Sequence, residues 1–240
     1  MSVPPDVSWP VPAEIVHRSL SVRQVTVERD GRDVLNEVDV EVDAARIAVI
    51  GANGSGKSTF ARLLNGLVEP SAGTVRVHGL DPVRHRREVR RRVGFVFTDP
   101  QAQILMPTPA EDLALSLRGL PRAEIDRRVA ATLALHGLGD HADAPVAALS
   151  GGQRQLLALA SVLISSPALV VADEPTTLLD LRNSRRIADL LLAHDAQVVL
   201  VTHDLELAAR CDTALLFEGG RLIDVGDAPR VVSSYRRLCT

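Results

Sequence analysis

With 240 residues, of which 46% are hydrophobic and 2% aromatic, the chain can build one large α/β domain, or two small ones, around an aliphatic core. Its formal net charge of −3 gives no electrostatic basis for general nucleic-acid binding, and it has no apolar stretch near the roughly 20 residues of a membrane span, so any membrane role needs a partner. Cys211 and Cys239 form no metal-ligand spacing and no disulfide framework, which indicates a reducing compartment.

The start of the chain divides into a tail and the beginning of a folded domain. Residues 1–18 contain four prolines but neither the basic region nor the apolar run of a secretion signal, and we expect a flexible tail before a domain at 19–240. From 20 to 43 apolar residues recur mainly at every second position, which predicts a small antiparallel β unit whose strands join near Asp30-Gly31.

Residues 51–59 read GANGSGKST, the spacing G-x-x-x-x-G-K-[ST] of a phosphate-binding loop. Apolar runs before and after it predict a buried strand leading into the loop and a helix leading out. Glycines let successive backbone N–H groups point at one anion, and the helix N-terminus adds partial positive charge. Lys57 can reach the outer phosphates, and the Ser58 hydroxyl can bind Mg²⁺. The predicted nucleotide-binding residues are Gly51, Asn53, Gly54, Ser55, Gly56, Lys57, Ser58 and Thr59.

From Arg46 onward strands and helices alternate, which predicts a parallel sheet covered by helices on both faces. Helical signals dominate at about 100–165, and we expect a helical insertion there, with a capping box at 108–111. The arginine-rich run at 84–92 is favoured as a solvated helix face over a contact with a partner or with lipid headgroups.

An apolar strand at 169–172 ends in Asp173 and Glu174. Because ligands bind at the C-terminal ends of parallel strands, the pair is predicted to lie beside the glycine loop. Asp173 would then hold Mg²⁺, and Glu174 would orient and deprotonate an attacking water. The alternative is that the two carboxylates only cap the next helix, but a phosphate-type motif in the same sheet favours the functional interpretation.

Ser150-Gly151-Gly152-Gln153 has the pattern of a capping box, S-x-x-Q, which opens a helix. It is also a second helix N-terminus bared by glycines, and therefore a second potential anion site. Since residues 51–59 already wrap the phosphates of one nucleotide, we expect the second site to serve a phosphate held by another copy.

Together these motifs resemble those of the ABC-transporter ATPases. Residues 149–153 are similar to the family's signature sequence, 175–180 to its D-loop, and 202–204 to the segment with its switch histidine. With the glycine loop and the acidic pair, five motifs stand in the family's order between about 20 and 225. The resemblance implies an α/β fold: a P-loop NTPase core with a parallel sheet, a small antiparallel β subdomain and a helical insertion.

The resemblance also implies roles for the matched residues. Family members close as a head-to-tail pair around two ATP molecules with Mg²⁺ and reopen on hydrolysis. The implied catalytic residues are Lys57, Glu174 as the general base, and His203 as a contact to the γ-phosphate, while Ser58 and Asp173 would serve Mg²⁺. The residues that would cover ATP on the opposite subunit are Ser150, Gly151, Gly152 and Gln153, with Asp180 coupling the two sites.

Two positions depart from the family pattern. Arg29 stands where relatives usually have an aromatic residue that stacks on adenine. A guanidinium can stack on a flat ring, but Arg29 could equally be a solvated turn residue. Thr98 stands where relatives usually have a glutamine that contacts Mg²⁺ and senses the membrane partner. Its hydroxyl can bind metal or water but has a shorter reach.

The segment around Thr98 narrows the resemblance. Asp99-Pro100-Gln101-Ala102-Gln103, followed by Pro107-Thr108 and Glu111-Asp112, resembles the energy-coupling-factor and cobalt-type importer ATPases. Thr98 together with 106–109 resembles their biotin-uptake members.

The resulting expectation is an ATP-hydrolysing subunit at the cytoplasmic face of the cell membrane that powers import of a vitamin or metal ion, with biotin as first choice. Its expected partners are a second ABC ATPase, identical or different, a transmembrane coupling subunit and a substrate-binding membrane subunit, but no nucleic acid. The alternatives are an ABC ATPase for another substrate such as cobalt or nickel, and a non-transport ABC ATPase. A small-molecule kinase would have no use for 150–153, and a regulator without turnover would not need Glu174 and His203.

Overall fold

The computed structural model describes residues 19–177 and 179–238. The predicted tail at 1–18 and Cys239 lie outside the described residues. Within the described part the strands form two sheets, with the orders β2-β1-β4 and β5-β6-β7-β3-β8-β9. The strands are β1 (Leu20–Arg29), β2 (Arg32–Val42), β3 (Arg46–Gly51), β4 (Ala72–Val77), β5 (Val93–Val96), β6 (Leu169–Asp173), β7 (Gln197–Val201), β8 (Thr213–Glu218) and β9 (Arg221–Asp227).

The three-stranded sheet is antiparallel, which confirms the predicted small β unit. β1 and β2 pair from Leu20 opposite Val42 to Arg29 opposite Arg32, on either side of the turn at 30–31. Leu20 and the valines at 22, 25 and 27 of β1 are buried, while the residues between them are less buried, as expected for a sheet with one face on the core. β4 pairs with the other edge of β1 and completes this sheet.

The six-stranded sheet is parallel from β5 to β8, and each of these strands is mostly an apolar run. These strands are buried on both faces: one face packs against helices, and the other shares a core with helical residues and with apolar residues of the three-stranded sheet. The edge strand β9 differs from the expected parallel pattern because it runs antiparallel to β8. Gly219 and Gly220 connect the two strands with φ of 52° and 78°, the positive angles of a tight hairpin turn.

Eight α-helices lie in the described part of the chain, and the six-stranded sheet separates two hydrophobic cores. Val170 and Val171, neighbours on β6, belong to different cores because successive side chains point to opposite faces. None of these helices has the length and hydrophobicity of a membrane-spanning segment. They are α1 (Lys57–Leu64), α2 (Arg86–Arg92), α3 (Pro109–Ser116), α4 (Arg122–Leu135), α5 (Gly151–Leu163), α6 (Leu181–Leu192), α7 (Leu205–Ala208) and α8 (Ala228–Leu238).

The basic run folds as α2, and its single buried residue is Val89. The other side chains of this helix are exposed or half-buried, in agreement with the predicted solvated face. Arg86 pairs with Glu69, and Arg92 pairs with Glu88 on the same helix.

The chain between β5 and β6 contains α3, α4 and α5, in the segment predicted as the helical insertion. Buried Asp112 on α3 holds this segment together. Its Oδ1 accepts the backbone N–H groups of Leu105 and Met106 at 2.9 and 3.2 Å, and its Oδ2 accepts the Ser161 hydroxyl of α5 at 2.7 Å. One carboxylate therefore ties the loop after β5 to α3 and α5.

We expect Asp112→Ala to lower the free energy of unfolding by about 2–4 kcal/mol, because it removes the acceptor of three donors in a buried setting. Urea denaturation measures this change. The matched control is Glu111→Ala on the same helix, whose exposed carboxylate accepts only the Thr108 hydroxyl and should be worth less than about 1 kcal/mol. Equal losses in the two variants would contradict the bridging role of Asp112.

Candidate active site

The glycine loop passes between β3 and α1 and lies against the antiparallel sheet. Gly56 has φ of 101°, and a Cβ there would lie 2.6 Å from Leu35 Cδ2 and 2.9 Å from the Val34 carbonyl oxygen. The Gly220 N–H donates to the Ser55 carbonyl at 3.2 Å, so the β8–β9 turn also holds the loop. Glycine has no side chain, so at position 56 the chain can pass close to β2 immediately before α1 begins.

Lys57 is the first residue of α1, and its side chain folds back over the loop. Nζ donates to the carbonyl oxygens of Gly51 and Ala52 at 2.8 and 2.9 Å. Burial lowers the pKa of this ammonium, while the carboxylates of Glu174 and Asp173 act in the opposite direction. The loop and the acidic pair therefore meet around one cation, as the sequence predicted.

Ser58 and Asp173 meet across the sheet edge. The Ser58 hydroxyl donates to Asp173 Oδ1 at 2.9 Å, and Arg62 Nη2 lies 3.8 Å from Oδ2. Only 3% of the Asp173 side chain is exposed, and burial raises the pKa of its carboxyl. A hydroxyl and a carboxylate are oxygen ligands of the kind that Mg²⁺ prefers, and a divalent cation would offset the cost of this buried charge.

The described residues contain no group of three or more His, Cys, Asp or Glu side chains that could hold a metal ion. A two-ligand site fits Mg²⁺ bound jointly by protein and substrate, since this ion usually keeps waters and takes phosphate oxygens as further ligands. The pair Ser58–Asp173 is therefore a suitable donor set for Mg²⁺ with a nucleotide.

Glu174 follows β6 directly and is held in an uncommon backbone conformation, with φ of 53°. For a non-glycine residue this conformation costs of order 1–3 kcal/mol and is typical of functional sites. Its Oε2 accepts His203 Nδ1 at 2.7 Å and the Thr177 hydroxyl at 3.2 Å. The carboxylate is 16% exposed and His203 is 64% exposed, so the pair faces the open side of the sheet edge.

The structure places the two unusual positions differently. Thr98 lies at the same sheet edge, where its hydroxyl donates to the Asp173 carbonyl oxygen at 2.9 Å. Arg29 is exposed and pairs through the backbone with Arg32 at the end of the β1–β2 hairpin. The site therefore brings Thr98 next to the acidic pair, whereas Arg29 sits on the hairpin whose Val34 and Leu35 border the glycine loop.

The predicted second anion site forms a capping box at the start of α5, as expected. The Ser150 hydroxyl accepts the Gln153 N–H, and the Gln153 side chain accepts the Ser150 N–H. Gln153 Nε2 also lies 2.8 Å from His141 Nε2. Asp180 caps α6, and Asn183 of α6 packs on Gly152. These contacts come from the helical segment and α6, whereas the glycine loop contacts β2, β6 and the β8–β9 turn.

The sequence analysis did not predict site contacts for three side chains that the structure places at the site. Thr177 orients Glu174, and Arg62 approaches Asp173. Gln103 accepts the Phe97 N–H through Oε1 at 3.2 Å and donates through Nε2 to the Ala158 carbonyl of α5. Helical spacing offers a signal for Arg62 alone, since it lies four residues after Ser58 and shares its helix face.

Comparison with known proteins agrees with this geometry. The family described as ABC transporter matches residues 35–177. A putative ABC transporter ATP-binding protein of Deinococcus radiodurans is 47% identical over 92% of this chain and 99% of its own length. The biotin transport ATP-binding protein BioM of Rhizobium etli is 41% identical over 86% of this chain and 93% of its own length.

Two solved structures share the fold. One is cbiO1 of Clostridium perfringens, part of the ABC transporter complex cbiONQ, with a TM-score of 0.80, 28% identity and 92% of each chain covered. The other is a dimeric ATP-binding cassette in a post-hydrolysis state with ADP and phosphate bound, with a TM-score of 0.77, 26% identity, and 87% of this chain and 98% of that chain covered.

The fold and the site define a P-loop nucleotide hydrolase with a helical segment between its fifth and sixth strands. The chain belongs to the ABC transporter family, and within that family it is an ATP-binding subunit with ATPase function. The family and the α/β fold class expected from the sequence are both confirmed.

We expect Asp173→Asn to stabilise the nucleotide-free protein above about pH 4. Folding raises the pKa of this carboxyl above its ordinary 3.8, so the native state holds the proton more tightly than the unfolded state. The free energy of unfolding of the wild type therefore falls as the pH rises through the raised pKa, whereas the neutral amide has no such loss.

Urea denaturation of both proteins between pH 4 and pH 8 measures this difference. The control is Asp126→Asn, an exposed carboxylate paired with Arg122, which should change stability by less than about 0.5 kcal/mol. A wild type that is more stable than Asp173→Asn throughout this range would contradict the assignment.

Proposed function

We propose that this chain is the ATP-hydrolysing subunit of an importer of the energy-coupling-factor type, and that the transported vitamin is biotin. One observation carries the catalytic part: two pairs, Ser58 with Asp173 and Glu174 with His203, converge where β6 and β7 end beside the glycine loop. The loop binds the phosphates, Lys57 contacts the outer ones, and Ser58 with Asp173 would hold Mg²⁺, which neutralises phosphate charge when bound.

Hydrolysis needs a base beside the terminal phosphate, and Glu174 supplies it. Its carboxylate accepts a proton from the attacking water as the new O–P bond forms and the bond to the β-phosphate oxygen breaks. Thr177 and His203 both donate to Oε2, which orients the carboxylate. In the ATP-bound state His203 releases Glu174 and contacts the γ-phosphate, and Thr98 serves the water or metal beside it.

A second ABC ATPase chain, identical or different, completes each site. Residues 150–153 and Asp180 lie in a cluster of their own, apart from the residues that surround the glycine loop, and they are available to a nucleotide held by the partner. The start of α5 supplies backbone N–H groups and partial positive charge for phosphate. Arg29, on the hairpin beside the loop, stacks on the adenine ring.

The relatives support membrane partners for this chain. In our proposal a transmembrane coupling subunit and a substrate-binding membrane subunit place the chain at the cytoplasmic face of the cell membrane. The loop after β5 is the surface for the coupling subunit, since Leu105 is 73% exposed there although it is a large apolar residue. Asp112 and Gln103 connect this loop to α5, which carries the second anion site.

Biotin is favoured as substrate by Thr98 and residues 106–109, which resemble those of biotin-uptake members. Overall identity separates the two substrates little, since two BioM relatives are 41% and 37% identical to this chain and the cobalt import protein CbiO of Syntrophus aciditrophicus is 38% identical. Cobalt or nickel import by the same subunit type is the second candidate, because cbiO1 covers 92% of this chain with a TM-score of 0.80.

We expect Glu174→Gln to lower ATP turnover by roughly 10²–10⁴-fold, because the amide cannot accept the proton of the attacking water. ATP binding should persist, since the phosphate contacts come from the glycine loop. Phosphate release and equilibrium binding of ATP measure the two properties. The matched control is Glu218→Gln at the exposed end of β8, which should turn over ATP like the wild type. Wild-type turnover in Glu174→Gln would remove the base assignment.

Transport is tested with the chain and the membrane proteins that co-purify with it, reconstituted in vesicles. We expect uptake of labelled biotin that requires ATP on the side of this chain and is lost in Glu174→Gln. Labelled cobalt and nickel ions are offered in parallel. Uptake of a metal ion alone would transfer the proposal to the second candidate, and ATP turnover without uptake of any of the three would refute the importer assignment.

A further inference from the structure

We propose that Asn183 is a positioning residue that joins the start of α6 to the start of α5, so that Asp180 and the second anion site present one rigid surface to the partner chain. This inference rests on the proposed two-chain site. It assigns a role to a residue outside the five motifs, and it separates the roles of two neighbouring glycines.

Both carboxylate oxygens of Asp180 accept hydrogen bonds from Asn183. Oδ1 accepts the Asn183 backbone N–H and Oδ2 accepts its side-chain amide, each at 2.8 Å. These bonds hold the pKa of Asp180 below its ordinary value, first through the Asn183 backbone N–H. The Asn183 side chain therefore has a defined direction at the first turn of α6.

The same side chain packs against the start of α5. A Cβ added to Gly152 would lie 2.6 Å from Asn183 Nδ2 and 2.7 Å from its Cγ, so a side chain at position 152 would displace the Asn183 amide. Glycine at 152 thus leaves room for a contact within its own chain. A Cβ at Gly151 would meet no atom within 4 Å, which leaves its outer side open to a ligand or partner.

The α6 start is also tied to the loop that follows Glu174. The Ser184 hydroxyl donates to the carbonyl oxygens of Thr176 and Leu179 at 3.3 and 3.4 Å. Thr177 in that loop donates to Glu174. A displacement of the loop therefore moves the start of α6, and through Asn183 it moves Gly152 at the start of α5. Asn183 thus connects Glu174, the hydrolytic residue of one nucleotide site, to the surface that covers the other nucleotide site.

The test is a double-mutant cycle of Gly152→Ala and Asn183→Ala, made in the Glu174→Gln background so that bound ATP persists. The readout is the ATP concentration that gives half-maximal pairing of chains, followed by light scattering. The free energy of unfolding in urea is measured for the same four proteins without nucleotide. The matched control cycle pairs Gly151→Ala with Asn183→Ala.

We expect Gly152→Ala to raise the half-maximal ATP concentration at least tenfold, because its methyl group displaces Asn183. Asn183→Ala should raise it about threefold, and the double variant should resemble Asn183→Ala, since the clash is gone. The effects of Gly151→Ala and Asn183→Ala should instead multiply, because Gly151 does not touch Asn183. Each variant that pairs poorly should still unfold cooperatively.

Independent effects of Gly152→Ala and Asn183→Ala on pairing would overturn the positioning role. So would an Asn183→Ala variant that pairs like its parent. If the parent never pairs with ATP, the two-chain site fails and the positioning role fails with it. In that case the unfolding measurements still test the contact itself. Non-additive losses of stability in the cycle show that Asn183 contacts Gly152, although the contact makes no contribution to pairing.

Discussion

The arrangement of the site depends on one buried carboxylate. Asp173 ends an interior strand of the sheet, where it is almost fully buried, and the Ser58 hydroxyl is its hydrogen-bonding side-chain partner at 2.9 Å. A charge in that position is costly unless it is paired or coordinates a cation. The contacts from Ser58 and Arg62 of α1 offset part of this cost. The buried Asp173 carboxylate that destabilises the nucleotide-free protein is also a suitable ligand for Mg²⁺ bound together with a phosphate chain.

Around this carboxylate the chain builds two surfaces rather than one. The glycine loop and Glu174 belong to the sheet edge, whereas residues 150–153 belong to the helical segment and contact α6. In the proposed two-chain site each surface covers one side of a nucleotide, and a second chain supplies the other side. The contact of Asn183 with Gly152 links the two surfaces within one chain and lets them respond to each other.

The loop after β5 connects this machinery to the proposed membrane partner. Gln103 and Asp112 use side-chain hydrogen bonds to fasten the loop to α5, and Thr98 fastens its beginning to Asp173. In our proposal these hydrogen bonds would transmit a displacement of exposed Leu105 to both the hydrolytic edge and the second anion site.

The sequence by itself determined the local features: the glycine loop between strand and helix, the capping boxes, the β1–β2 hairpin and the acidic pair after an apolar strand. Each depends on residues a few positions apart, and the rule that parallel strands end at one edge extended this to the meeting of Ser58 with Asp173. Only the tertiary structure decided that Asp112 bridges to Ser161, that Thr98 hydrogen-bonds to Asp173, and that Asn183 faces Gly152. These partners are 31 to 75 residues apart in the chain, and no periodicity records them because they depend on how packed elements approach each other.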